Sequence, residues 1–136
     1  MHIRLACEAD LPFLTDHDHH ISPAVLSELI RQNQVFLALE NDAPIGWLRW
    51  NLFWDNTPFL NLLYLLEPHR RQGHGRALMA HWEWWMQEQG FFRLLTSTQS
   101  DEEAQHFYRK LGYRECGALL LPGEPLEMIF LKELTP

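Results

Sequence analysis

The sequence predicts an α/β protein: a mixed sheet with helices on both faces, in a single domain over residues 1–136. Three observations carry this. The apolar period switches between strand-type and helix-type along the chain, in the order β-α-α-β-β-β-α-β-α-β-β, and a mixed sheet flanked by helices satisfies that order. The run 59–66 is nearly all apolar, as in a central strand covered on both faces. The chain has 136 residues, the usual size of one domain and enough for one sizeable core.

Residues 2–6 read as a short strand. Residues 10–16 form a weak helix carrying Leu11, Phe13 and Leu14, and the polar stretch 15–20 reads as a loop. Ser22 caps a second helix that has Pro23 at its first position, where the missing N–H costs nothing. Val25, Leu26, Leu29 and Ile30 give it an apolar stripe. Strands follow at 34–40 and 44–53 around an Asn41-Asp42 turn. Residues 55–58 break the chain before the 59–66 strand.

A helix over 74–89 is closed by Gly90, which suits a left-handed C-terminal cap. Its core stripe is Leu78, Trp82 and Trp85, with Met79 and Met86 beside it. The next strand is 91–97. Ser100 then opens a helix with Glu103 three residues on, the capping-box spacing. Its inner stripe is Ala104, Phe107, Tyr108 and Leu111, and Gly112 ends it. Strands at 113–121 and 126–134 finish the chain around a turn at 122–125.

Composition narrows the function. With 46% hydrophobic and 21% charged residues the chain reads as a soluble globular protein. It has no apolar run of membrane-spanning length, so no membrane association is expected. The N-terminus lacks a signal-peptide pattern, so a cytoplasmic location is expected. A net charge of −7 and a pI near 5.5 disfavour nucleic acid as a partner. Cys7 and Cys116 lie far apart and outside any metal spacing. They are expected as free thiols packed as small hydrophobes.

Against this acidic background, His69, Arg70, Arg71, His74 and Arg76 form a basic cluster. The segment Arg70-Arg71-Gln72-Gly73-His74-Gly75-Arg76 joins the apolar strand to a helix. Glycines let backbone approach a ligand and take positive φ. Amides at a helix start, with the dipole behind them, favour an anion. Arg70, Arg71 and Arg76 add charge-assisted hydrogen bonds. A dinucleotide fingerprint would need glycine where Leu78 stands, and a Walker loop would need Gly-Lys-Ser/Thr. A pyrophosphate is the anion this loop fits, with a plain glycine-containing strand–helix turn carrying surface arginines as the alternative.

Arg70-x-x-Gly73-x-Gly75 after a hydrophobic strand resembles the R/Q-x-x-G-x-G/A motif of the GNAT family of N-acetyltransferases. The segment from Ala104 through Phe107-Tyr108 to Gly112-Tyr113 is similar to that family's A-x-x-F-Y-x-x-x-G-F/Y. The opening Ile3-Arg4-Leu5-Ala6, with Asp10-Leu11 after it, resembles the family's first strand and helix start. The stretch 46–58 looks similar to an uncharacterised bacterial subgroup.

The resemblance implies acetyl-CoA as co-substrate, with central strands 59–66 and 91–97 splayed apart. The pantetheine arm would pair with backbone at Leu65, Leu66 and Glu67. The pyrophosphate would sit on Arg70, Arg71, Gln72, Gly73, His74, Gly75 and Arg76. A backbone N–H near Leu65 would polarise the acetyl carbonyl. Tyr108 would protonate the departing thiolate. A thiol titrates near ~8.5 and a tyrosine near ~10, close enough for general acid catalysis; from helical spacing alone Tyr108 reads as a packing aromatic. There are departures from the family pattern. Glu67 stands where proline is frequent. Asp101 replaces an asparagine that contacts pantetheine or the helix start. Thr96 occupies the place of a glutamate base found in some members.

An amine acceptor must lose a proton before it attacks. Glu67, at the strand end, and Asp55, in the turn before that strand, are the candidate bases, with a water chain as a third route. Their bland roles are a solvated strand end and a turn residue. In the 44–53 strand and the turn after it, alternation puts Trp50 and Trp54 on one side and Trp47, Arg49 and Phe53 on the other. Trp50 and Trp54 are candidate acceptor-pocket residues able to hold a cation, with core packing as the alternative. Arg49 and Asn51 offer groups to orient an acceptor carboxylate or amide. His17, His19 and His20 fall in a loop that borders the acceptor site in the family, and His20 is the candidate contact. No metal is expected, because the adjacent ligands of 16–20 do not converge on one ion.

The function expected from these residues is transfer of an acetyl group from acetyl-CoA to a small-molecule or protein amine. The alternative is a non-catalytic acyl-CoA-binding sensor or regulatory module. Trp84, expected on the helix surface, leaves both a monomer and a homodimer open.

Overall fold

The computed structural model describes residues 1–136. Its elements follow the predicted order. They are β1 (His2–Leu5), α1 (Leu11–His17), α2 (Pro23–Arg31), β2 (Val35–Glu40), β3 (Ala43–Phe53), β4 (Thr57–Leu65), α3 (His74–Glu88), β5 (Arg93–Gln99), α4 (Ala104–Lys110), β6 (Arg114–Leu119) and β7 (Glu127–Glu133). The seven-stranded mixed sheet has the order β1-β2-β3-β4-β5-β7-β6, which is the α/β class expected. The β4–β5 pairing is parallel and holds only two residue pairs, Phe59 with Leu95 and Leu60 with Thr96.

Two compact units make up the chain. One is Met1–Asn51 with Leu62–Trp82, the other Leu52–Asn61 with Glu83–Pro136. In the first, β2 is buried along nearly its whole length. Leu37, Leu39 and Val35 pack with Leu14, Leu26, Ile30 and Trp47 on one face. On the other, Phe36 stacks on Trp50, and Trp50 lies 6.2 Å from Trp82 of α3. Helices therefore cover both faces of β2. Each large apolar side chain buried this way contributes roughly 1.5–3 kcal/mol.

The second unit is built on the β5–β7–β6 ladder, with Phe130, Leu94 and Tyr113 at its centre. Glu83 of α3 accepts hydrogen bonds from Tyr113 Oη at 2.8 Å and Lys132 Nζ at 2.9 Å. Helix α3 ends as expected. Gly90 has φ 91°, and the Gly90 and Phe91 amides donate back to the Gln87 and Met86 carbonyls, the Schellman arrangement. Trp84 is exposed, and Trp85 is only half-buried.

Several local expectations are corrected. Glu8–Asp10 form a 3₁₀ turn, because Asp10 accepts from Arg4 (2.7 and 3.0 Å) and from the Cys7 amide (2.8 Å). Helix α1 runs on to His17, so the loop begins later than expected, and Asp18 is buried at its end. Ser100 does not open α4. Its amide is held by the Leu126 carbonyl at 2.8 Å, so the helix starts only after Glu103, with no side-chain cap. Cys7 and Cys116 are free but exposed rather than packed.

Strand β4 differs most. It was expected to be covered on both faces, yet Leu62, Leu63, Leu65 and Leu66 are only half-buried and Tyr64 is exposed. Its apolar run extends past the last residue that β5 pairs.

Candidate functional site

The end of β4 presents an open backbone edge. The Leu66 amide donates to the Ile45 carbonyl of β3 at 2.8 Å. Across a trans peptide the Leu65 carbonyl points the opposite way, away from β3. In an extended strand a residue's N–H and C=O share a side, so the Leu65 N–H faces away from β3 too. Leu66, expected to pair with a pantetheine arm, has its amide committed to Ile45. Leu65 keeps both groups on the outer edge, although Arg70 Nε already donates to its carbonyl at 2.8 Å. The Arg70 guanidinium lies 5.0 Å from the centre of the Tyr64 ring. Arg70 is therefore folded back on its own strand, not extended toward a ligand.

The chain then turns through a 3₁₀ segment, Glu67–His69, and enters α3. Glu67 is exposed. Gln72 Nε2 closes the turn on the Pro68 carbonyl at 3.1 Å. Arg71 and Gly73 take left-handed backbone, φ 61° and 85°. Glycine adopts this freely, whereas for arginine it is strained. The first helical bond runs from the Ala77 amide to the Gly73 carbonyl at 3.0 Å. The amides of His74, Gly75 and Arg76 thus head a 15-residue helix with no acceptor inside it. The positive end of the helix dipole lies behind them. Arg71, Gln72, Gly73 and Arg76 are exposed around this mouth.

The His74 ring turns inward instead. Its Nε2 lies 3.6 Å from Glu40 Oε2, and His69 Nδ1 lies 3.4 Å from the same oxygen. Glu40 Oε2 and His74 Nε2 are out of solvent with no hydrogen-bond partner. Glu40, the last residue of β2, was not identified from sequence. It is distant in the chain and ends an ordinary strand, so only the sheet brings it under the loop.

Asp18 was also missed. Its Oδ2 accepts from Arg49 Nε at 2.7 Å and from Trp47 Nε1 at 3.1 Å, and its Oδ1 accepts from Arg49 Nη2 at 3.3 Å. Burial alone would push the Asp18 carboxyl up. Arg49, the Trp47 indole and the His20 amide outweigh it, and the net direction is down. This corrects the reading of Arg49 as an acceptor-orienting group, since its charge is spent on Asp18. Trp50, a candidate acceptor residue, is 3% exposed and belongs to the core. His20 is exposed and held by its amide to Asp18 at 3.2 Å.

In the second unit, Tyr108 is 7% exposed and packs near Phe107, Tyr113 and Phe130. Burial pushes its hydroxyl up to about 12, with the Thr96 hydrogen bond opposing and the Glu102 charge assisting. The near match to a thiol expected from sequence is therefore wider in the folded chain. Thr96, set aside from sequence because it cannot act as a base, donates from its Oγ1 to the Leu60 carbonyl at 3.1 Å. Asp101 is exposed in the turn before α4. Asp55 and Trp54 form a left-handed turn, φ 62° and 55°, with Trp54 75% exposed.

No curated protein matches the chain in sequence. Solved structures do match in shape. Ard1 from Thermoplasma volcanium superposes with a TM-score of 0.85 at 19% identity, covering 99% of this chain and 98% of its own. The ribosomal-protein-S18-alanine N-acetyltransferase from Escherichia coli gives 0.83 at 18%, covering 99% and 94%. The PaiA N-acetyltransferase from Thermoplasma acidophilum, solved in complex with coenzyme A, gives 0.73 at 17%, covering 97% and 98%. At such identities the likeness shows the fold. Membership rests on the sequence profile described as the Acetyltransferase (GNAT) family, which matches residues 4–113. That match covers most of the chain, and the protein belongs to the GNAT family of acetyltransferases.

Proposed function

We propose that this protein transfers an acetyl group from acetyl-CoA to an amine by direct attack, as one catalytic domain working in the cytoplasm. One observation carries the reading: the outer edge of β4 at Leu65 leads within a few residues to the open amides of α3. An extended, amide-bearing arm suits the first feature and a diphosphate suits the second. Arg71 and Arg76 supply positive charge at the helix mouth. The Leu65 carbonyl has a second lone pair besides the one Arg70 uses. The acetyl-CoA bound in the Bacillus anthracis structure named for streptothricin acetyltransferase, and the coenzyme A bound by PaiA, support the choice of ligand.

In the reaction the amine nitrogen attacks the thioester carbon, with the Leu65 N–H polarising the carbonyl oxygen. Glu67 or Asp55 takes the amine proton, directly or through water. Collapse breaks the C–S bond, and the thiolate takes the Tyr108 proton. His20 and Trp54, both exposed, are the acceptor contacts, and the chain's net charge of −7 favours a cationic acceptor. The acceptor class remains a small-molecule or protein amine. The E. coli neighbour is named for alanine of ribosomal protein S18.

The test is thiol release from acetyl-CoA across a panel of amines, together with thermal shift. Acetyl-CoA should raise Tm and suitable amines should release thiol. Tyr108→Phe should lower kcat by roughly 10²–10⁴-fold while CoA affinity holds. Equal turnover with every acceptor would remove Tyr108 from the mechanism. The second reading, a non-catalytic acyl-CoA-binding module, draws on the Tyr108 hydroxyl pushed to about 12, far above a thiol at ~8.5. It requires stabilisation by acetyl-CoA with no acceptor-dependent thiol release.

A further inference from the structure

Glu40 ends β2, and its Oε2 meets both shoulders of the arginine–glycine turn. His69 Nδ1 lies 3.4 Å from that oxygen and His74 Nε2 lies 3.6 Å from it. His69 ends the 3₁₀ segment and His74 opens α3. Between them run Arg70, Arg71, Gln72 and Gly73, the turn read above as the seat of a diphosphate. Part of the Glu40 side chain reaches solvent, but Oε2 does not, and neither Oε2 nor His74 Nε2 has a hydrogen-bond partner.

A buried carboxylate oxygen without a donor is costly. This one is also badly placed for the ligand, because a negative charge beside the turn opposes a diphosphate seated on it. A proton on either imidazole relieves both effects. It allows a charge-assisted N–H···O bond to Glu40, and it cancels the charge of the carboxylate.

Resting on the diphosphate reading above, we propose that Glu40 is a positioning residue for the turn, and that binding of coenzyme A is coupled to uptake of one proton held by Glu40, His69 and His74 together. With the proton in place, Glu40 draws both imidazoles inward and sets the turn between them. The α3 dipole, Arg71 and Arg76 then act on the diphosphate without an opposing carboxylate. The bound state holds more protons than the free one. Affinity therefore rises as pH falls through the range in which histidine changes charge.

Other charged groups face the same region. His81 lies two turns beyond His74 on α3, and burial, with the charge of His2 on β1, lowers its proton affinity. Asp42 in the β2–β3 turn, Glu67 in the 3₁₀ segment, and Arg71 and Arg76 at the helix mouth are exposed, where solvent and salt screen them. Asp42 and His81 serve as controls for charge and for titration.

The experiment is calorimetric titration of coenzyme A into the full chain from about pH 5 to 8. Two buffers of different ionisation enthalpy give the proton uptake alongside the affinity, and Tm confirms that each variant is folded. The 3′-phosphate of the ligand titrates in this range too, but equally for every variant, so differences between variants isolate the protein's proton. Beyond the ligand's own slope, the wild-type chain should lose up to about tenfold in affinity per unit rise in pH, the limit for one coupled proton. Glu40→Gln keeps the shape and removes the charge. It should flatten the slope to the ligand's own and bind at least as tightly as wild type at about pH 8. His69→Gln combined with His74→Gln should also flatten it, by holding affinity at the weak wild-type value of about pH 8 throughout. Asp42→Asn and His81→Gln should keep the wild-type slope.

A Glu40→Gln chain with the wild-type slope overturns the inference. So does one weakened equally at every pH, which would make Glu40 structural only, and so does an equal flattening by Asp42→Asn or His81→Gln. No binding of coenzyme A by the wild-type chain at any pH would instead remove the diphosphate reading itself, and this inference with it.

Discussion

The Asp18 carboxylate and the Arg49 guanidinium, 31 residues apart in sequence, meet at 2.7 Å with 0% and 7% of their side chains exposed. The pair fixes the end of α1 to the middle of β3. Removing one partner of such a pair strands the other charge in the core. Asp18→Ala should therefore cost about 3–5 kcal/mol in denaturant unfolding. The double change Asp18→Ala with Arg49→Met should recover most of that loss, because no charge is left unpaired. A cost below about 1 kcal/mol for Asp18→Ala, the range of exposed pairs, would show that the pair is not buried in solution.

Gly46 touches the candidate site through the backbone. A Cβ there would come within 2.4 Å of Leu65 Cδ2 and 2.7 Å of the Tyr64 carbonyl oxygen. A leucine tip can turn aside, but a backbone oxygen cannot do so without moving β4. Gly46→Ala should destabilise by about 1–3 kcal/mol and raise the KM for acetyl-CoA, since Leu65 must shift. A lowered Tm with an unchanged KM would show that the Leu65 edge takes no part in binding.

Gly73 is constrained by conformation, not space. A Cβ there meets nothing within 4 Å, but φ is 85°. Gly73→Ala should cost about 1–2 kcal/mol for holding a left-handed backbone. If the loop relaxes to avoid that cost, the amides of α3 lose their aim and CoA binding weakens. Gly117, also without neighbours and without positive φ, gives the comparison, and Gly117→Ala should leave CoA affinity unchanged. Calorimetric titration with CoA checks both; equal affinities would mean that the turn does not position the diphosphate.

Asp10, Asp18 and Tyr108 are among the groups that shape the stability profile, beside Tyr113, raised by burial, and His81, lowered by burial. The Arg4 hydrogen bond holds Asp10 below the ordinary carboxylate range, and Asp18 is lowered against the cost of its burial. Both are depressed on folding, so their contribution is present above about pH 4, the unfolded value, and is lost as pH falls through the folded ones. Tyr108 is raised to about 12 from about 10 in the unfolded chain. Its contribution is full below about pH 10 and is lost as pH rises toward 12. Thermal unfolding from pH 2 upward should show the acid loss, and Arg4→Met should diminish it. An acid limb identical in Arg4→Met would show that Asp10 does not report this pair.

The order of elements was legible because apolar periodicity follows local geometry. The Ser22-Pro23 start of α2 and the Gly90 end of α3 came from side-chain and backbone preferences that act within a few residues. The failures share one cause. Ser100 has the right neighbours for a cap, but the Leu126 carbonyl holds its amide. Trp50 and Trp54 alternate correctly, yet one is core and the other a turn tip. Arg49 reads as a free cation until Asp18 is found against it.

Local chemistry in the sequence thus determined the strand and helix order, the phosphate-suited turn at 70–76 and the family motif that contains Tyr108. Only the tertiary structure decided which of those groups remain available. It committed the Leu66 amide to Ile45, folded Arg70 onto Leu65, turned His74 toward Glu40, and tied the Thr96 hydroxyl to the Leu60 carbonyl. The physical reason is that backbone preferences extend over a few residues, whereas a hydrogen bond or ion pair is chosen by whatever the sheet brings within about 3 Å.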